Sequence, residues 1–301
     1  GNRSVDIGRA SGNRHCVLPA RFRRVVFRTT LLAPENRANS PPLAALGTSA
    51  YFRLTLYYQR SVMEFLETGY PEPSEEYLKP TPYFDYDKPA VAEFAAKAVE
   101  GATTDKEKAV QAFYAVRDGI RYDPYRITER ADAYNASDVL ATQAAYCIPK
   151  ASLLTAVARF AGIPSAIGLS DVTNHMCSQR LRDAMGGKDL FMHHGYAVML
   201  IDGNWVKAAP AFNIELCDKF DVTPTEFDGV KDALLQEFDK KGRKHMEYVA
   251  SHGVWSDLPF DRVYDDFTDY YGPLLWERCR EAVTENERKQ AKNFEDEKPV
   301  N

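Results

Sequence analysis

The chain has 301 residues, a net charge of −5, and 45% hydrophobic and 12% aromatic side chains. That is enough apolar material for a sizeable core, without the basic excess that marks a nucleic-acid binder. No apolar run reaches the roughly 20 residues of a membrane-spanning helix, so neither nucleic acid nor membrane is expected as a partner. The five cysteines show no paired Cys-x-x-Cys spacing, which argues against a disulfide framework and for a reducing compartment, read here as the cytoplasm.

The first thirty residues contain seven Arg and one Asp, the composition of a disordered leader or of an organellar transit peptide. With the linker-like stretch Asn36 to Pro42, they define a leader over 1–45. From Ala50 to Tyr70 the chain is rich in Tyr, Phe and Leu, and periodicity leaves open a strand at Tyr51 to Tyr58 or one longer helix; it is read as helix, making 46–88 a helical appendage that ends in the Pro-rich extended connection Pro71 to Pro89. Asp87 and Pro89 then start a helix that ends before Gly101. Thr104 and Glu107 form a capping-box pattern for a second helix, with Val110, Phe113 and Val116 on one face. Ile120 to Tyr122 reads as a short strand, Ser137 as an N-cap, and Arg117, Asp118 and Arg121 as a solvated or locally paired charge cluster.

The stretch Ala144 to Pro164 carries the first chemical signal. Pro149 is tolerated only in a first helical turn, so a helix must begin close to Cys147; Leu153, Leu154, Val157 and Ala158 recur at helical spacing, and Gly162 and Pro164 end it. A thiol at the head of a helix feels the positive end of the macrodipole, which favours thiolate. The competing reading of Cys147 is a small hydrophobe capping a core helix. Ser165 to Asp171 follows as a core strand.

The second signal is His193 to Asn213. Two β-favouring runs flank Asp202-Gly203-Asn204, a hairpin pattern. If the turn is Gly203-Asn204, Asn213 stands opposite His194; if it is Asp202-Gly203, Ala211 does. A helix-borne Cys with a strand-borne His and an Asn or Asp on the next strand is the arrangement of a nucleophile, its base and the group that orients the base. His193 is expected to be exposed. His175, Asn174, Tyr196 and Trp205 are pocket candidates. His175, Cys177, His193 and His194 also suggest a zinc site, but without the spacing of a finger or an H-E-x-x-H helix, so no metal is expected.

Beyond Asn213, Phe227-Asp228-Gly229 reads as a turn, and the runs Met246 to Val249 and Gly253 to Trp255 as outer strands. His245 and His252 read as surface residues. Leu274 to Lys292 reads as a helix with Leu275, Trp276 and Cys279 on its apolar side, and the acidic tail from Glu295 as solvated and mobile. There is no internal repeat, Gly-rich phosphate loop or calcium-loop pattern, and no cofactor is implied.

Cys-x-x-Lys-Ala-x-Leu-Leu closed by Gly-Ile-Pro, then His-Gly-Tyr and a Trp-Val-x-x-x-Pro strand, resembles the transglutaminase-like superfamily of papain-type thiol enzymes. The resemblance implies an α+β fold in which a Cys-bearing helix packs on an antiparallel sheet, with a core over 89–260, an appendage over 46–88 and a helical extension and acidic tail over 261–301. It implies Cys147 as nucleophile, His194 as base, and acyl transfer from a peptide or small-molecule amide or ester to water or an amine. It also implies an Asp where this chain has Ala209. Asn213 is the expected substitute, with Asp228 as a second candidate. For an oxyanion the expected donor is the Cys147 backbone amide, free at the helix start, with Gln143 or Tyr146 as the second. The alternatives are a catalytically silent binding module of the same fold and a metal-dependent hydrolase.

Overall fold

The computed structural model describes residues 70–289 and 294–297; the expected leader over 1–45 and, up to residue 69, the helix expected from Ala50 to Tyr70 lie outside the described residues. In chain order the elements are α1 (Pro89–Ala98), α2 (Asp105–Gly119), β1 (Arg121–Tyr122), α3 (Ala136–Thr142), β2 (Ala144–Ala145), α4 (Cys147–Phe160) and β3 (Ser165–Asn174). There follow α5 (Gln179–Ala184), β4 (Leu190–Ile201), β5 (Asn204–Ala208), α6 (Ile214–Phe220), β6 (Met246–Trp255), α7 (Phe260–Tyr271) and α8 (Leu275–Lys289). Four strands form an antiparallel sheet in the order β5-β4-β3-β6, and β1 pairs with β2 in parallel. The fold is α+β, with the Cys-bearing helix on an antiparallel sheet as expected.

Local chemistry explains the elements that place the site. Pro89 opens α1, and Thr104 and Glu107 close a full capping box on α2, so the first orphan amides of α2 are satisfied by side chains. Helix α4 packs against β4 and β3 and is flanked by α1, α2 and α3; every residue from Cys147 to Arg159 is buried. Gly162 takes φ +86° just beyond its C-terminus, a left-handed conformation that costs glycine nothing. Lys150, inside this helix, is wholly buried. Its ammonium donates to the carbonyls of Arg117 and Ile120, which ties the end of α2 to the first turn of α4 and meets carbonyls that no intrahelical amide can reach.

The β4–β5 turn is Asp202–Gly203, since Ile201 pairs with Asn204. Both turn residues have positive φ, 49° and 80°, the conformation whose twist matches two antiparallel strands. By extension of this register His194 faces Ala211. The ladder, however, ends at Ala208, and Asn213 lies beyond it at the N-cap of α6.

Several expectations are corrected. The two outer runs merge into one strand, β6, which pairs with β3 through register irregularities. The stretch from Pro71, expected as an extended connection, holds the 3-10 turn Glu75–Leu78 and no other helix or strand before α1. Ser137 lies inside α3, where Asn135 is the N-cap, and donates its hydroxyl to Asp85. In the charge cluster Arg117 is locally paired as expected, bidentate on Asp118 at 2.9 and 2.8 Å, but it is buried rather than solvated and also donates to Thr225 O, because α2 turns that face inward. His193, His245 and His252 are all buried: elements distant in sequence pack over them. At the tail, Phe294 and Glu297 are fixed by contacts rather than solvated.

Candidate functional site

Cys147 stands at the first position of α4 and His194 in the middle of β4. The two elements meet at Gly195, where a Cβ would lie 2.7 Å from Ile148 Cα and 3.3 Å from the Cys147 carbonyl oxygen. Only glycine permits so close an approach of strand to helix. It brings the residue after His194 onto the turn that carries Cys147, and both side chains line one small cavity of about 40 Å³. Its other walls include Tyr122, Asn174, Phe212, His245 and Phe294.

The electrostatics follow from enclosure. Burial raises the Cys147 thiol to about 11, against the smaller opposing effect of the Gly195, Ile148 and Cys147 amides, which favour the thiolate. The helix start thus acts in the expected direction, but desolvation is larger. Burial likewise lowers the His194 imidazole to about 3. In the closed cavity the pair is a neutral thiol and a neutral imidazole. Both shifts have the same first cause, so opening the cavity returns both groups toward ordinary values.

Among the described residues no acid orients His194. Its Nε2 is buried without a hydrogen-bond partner, and its ring meets Tyr248 edge-on at 5.7 Å. Asn213, the expected orienting group, uses its Oδ1 to accept from the Tyr122 amide at 3.0 Å and its Nδ2 to donate to Glu215 at 2.8 Å. It serves α6 and β1 because the ladder that would have carried it to His194 stops short. Asp228 accepts from the Val230 and Lys231 amides in its own turn. Ala209 packs with Ala166, Tyr196 and Val198.

The two side-chain oxyanion candidates are bonded elsewhere, while the expected Cys147 amide lies at the thiol. Gln143 is exposed, in the left-handed conformation at the end of α3, and donates to Leu140 O. Tyr146 lines the cavity, but its hydroxyl donates to Tyr134 at 2.9 Å. The donors at this helix start are backbone amides, of Cys147, Ile148 and Gly195; Pro149 has none and the Lys150 amide bonds Tyr146 O. Of the pocket candidates, Asn174 lines the cavity. His175 instead meets Glu247 at 3.2 Å, Tyr196 meets Ser170 at 3.3 Å, and Trp205 donates to Pro71 O. The residues missed from sequence are Tyr122, Phe212, Tyr248, His245 and Phe294, all brought in by tertiary packing; only the Gly after His194 was a usable local signal.

His175, Cys177, His193 and His194 do not converge as a zinc set. Among the described residues the donors that do converge are His193, His252 and Asp266, one ligand atom from each lying within 4.8 Å of the others. In this structure His193 and His252 are hydrogen-bonded to Asp266 (2.7 Å) and Asp171 (2.6 Å).

Burial of the neutral histidines gives a pH dependence. His194 is lowered to about 3 and His245 to about 4, whereas histidines in an unfolded chain titrate near 6.5, at about the model-peptide value. As pH falls below 6.5 the unfolded state takes up protons that the folded state refuses, so stability is full above that pH and is lost as the pH drops toward 4. Urea unfolding midpoints should therefore be lower at pH 5 than at pH 7, with a smaller drop in His245→Gln; equal midpoints would contradict this.

Residues 92–210 match the family model described as the Transglutaminase-like superfamily. Among solved structures the chain is similar to a protein described as a candidate cysteine protease from Cytophaga hutchinsonii, at 16% identity and a TM-score of 0.35 over 59% of this chain and 52% of that one. It is also similar to a candidate protease from Parabacteroides distasonis, at 18% identity and a TM-score of 0.29 over 46% of this chain and 26% of that one. The chain thus spans about half the length of the first and about a quarter of the second. No curated protein matches it. Among the described residues no helix is long and apolar enough to cross a membrane.

Proposed function

From the premise that residues 92–210 form a core of the transglutaminase-like superfamily, we propose that this chain is a thiol enzyme of acyl transfer. The observation that carries the reading is the shared cavity: Cys147 at a helix start and His194 on the strand packed against that start both face it.

His194 takes the thiol proton as the Cys147 sulfur attacks the carbonyl carbon of an amide or ester. The tetrahedral oxyanion is met by the amides at the head of α4 and of Gly195, and its collapse breaks the C–N or C–O bond while His194 returns the proton to the leaving group. The Cys147 thioester then passes its acyl group to water or to a primary amine, which His194 deprotonates. Peptide amides and esters should be turned over, with or without an added amine. Product formation that is lost in Cys147→Ala and kept in Cys217→Ala supports the reading; equal turnover in Cys147→Ala overturns it.

A binding module of the same fold is favoured by one observation, the unpartnered Nε2 of His194, in a chain that carries Ala209 where the resemblance implies an acid. Saturable binding of a peptide amide without turnover by wild-type protein would decide for it. The convergence of His193, His252 and Asp266 is the one observation in favour of a metal-dependent hydrolase, and turnover abolished by a chelator would decide for that.

A further inference from the structure

The catalytic cavity is closed in part by the chain's own residues 294–297. Phe294 is buried, lines the same cavity as Cys147 and His194, and packs edge-on against Tyr122 and Phe220 with ring centroids 6.0 and 5.2 Å away. Behind it, the Glu297 carboxylate is held by three donors. The Tyr125 hydroxyl reaches it at 2.8 and 2.9 Å, the Arg180 guanidinium at 3.0 Å, and the Ser178 hydroxyl donates to the same group. Asp296 meets Lys219 at 3.1 Å. Arg180 is itself held over the Tyr125 ring, 4.6 Å from its centroid.

This is more than an apolar cover. An aromatic box opens on the nucleophile's cavity, and next to it stands a cradle with a tyrosine hydroxyl, a serine hydroxyl and a guanidinium, the donor set that recognises a carboxylate. Tyr125 stands between the two parts, touching Phe294 (centroids 6.1 Å) with its ring and Glu297 with its hydroxyl. We infer that this is the enzyme's acyl-substrate subsite, that it selects a peptide with an aromatic side chain followed within three residues by a carboxylate, and that Phe294 to Glu297 occupies it as a tethered competitor. The inference rests on the thiol-enzyme reading and names its substrate class. It also accounts for a cavity too small for any substrate: the occupant must leave before an acyl group enters. A tethered occupant competes at an effective concentration in the millimolar range, so weak contacts suffice to keep it in place.

The test uses the full chain carrying Phe294→Ala, with Glu297→Gln as a second variant that keeps the aromatic anchor. The probe is a fluorescein-labelled peptide of the sequence Lys-Asn-Phe-Glu-Asp-Glu-Lys, followed by fluorescence polarisation. Loss of a buried aromatic anchor weakens an interface about tenfold or more. Phe294→Ala should therefore bind the peptide at least about tenfold tighter than wild type, with Glu297→Gln between the two, and replacing Phe by Ala in the peptide should remove that gain. Iodoacetamide should alkylate Cys147 faster in Phe294→Ala, and the peptide should slow it again. Equal binding by wild type and both variants, or binding indifferent to the peptide's Phe, overturns the subsite. Failure of the thiol chemistry alone would look different: the peptide would bind Phe294→Ala as expected, and no amide or ester would be turned over.

Discussion

Gly195→Ala is expected to destabilise the protein by about 3 kcal/mol and to abolish activity in whatever folds, because the new methyl group must enter backbone that cannot retreat. Its Cβ would stand 2.7 Å from Ile148 Cα and 3.2 Å from Ile148 N. Those atoms belong to the first turn of a helix buried on every side, so relief can come only from lifting β4 off α4 and separating His194 from Cys147. A loss of this size lowers the melting temperature of a domain of this length by roughly 10 °C. Gly119→Ala is the control: it ends α2 with nothing within 4 Å of its Cβ and should be neutral or slightly stabilising. Urea denaturation of the two variants measures the difference; a Gly195→Ala protein as stable as wild type would mean that helix and strand are not in the contact described.

The second large effect is on catalysis. Cys147→Ser should reduce turnover of a peptide ester by at least about a thousandfold, and His194→Ala by about a hundred- to ten-thousandfold. The two losses should not add in the double variant, since a base without a nucleophile has nothing to deprotonate. Because His194 has no acid behind it among the described residues and its Nε2 is buried without a partner, the rates to be compared are those of a pair in which the imidazole packs against Tyr248. Parallel rate measurements on the two single variants and the double give the coupling directly, and strictly multiplicative losses would show that the residues act independently.

Much of this site was legible in the sequence where local chemistry dictates geometry. Pro149 and Gly162 bracket α4, the Thr104–Glu107 box opens α2, and Asp202–Gly203 sets the hairpin, so Cys147 and His194 could be placed on their elements from residue types alone. Pro210, which has no N–H to give a ladder, was the local sign that β5 stops at Ala208, and that stop converts a triad candidate into the N-cap residue of α6. The rest depended on contacts between residues far apart in the chain. His245 sits among polar neighbours in sequence, and His193, His245 and His252 are all covered by packing between elements far apart in the chain. The thiol shows the same competition in energetic form. Its position at a helix start was readable, but its depth was not, and depth decides the direction of its titration.

The central claim is that Cys147 forms the covalent bond to the acyl group and that His194 enables it. The most direct measurement is mass spectrometry of the full chain carrying Phe294→Ala after brief exposure to an activated aryl ester, with the acylated peptide identified among those carrying the five cysteines. The account predicts one acyl group, on Cys147, absent when His194→Ala is added. Acylation spread evenly over the cysteines, or undiminished on Cys147 without His194, would contradict it.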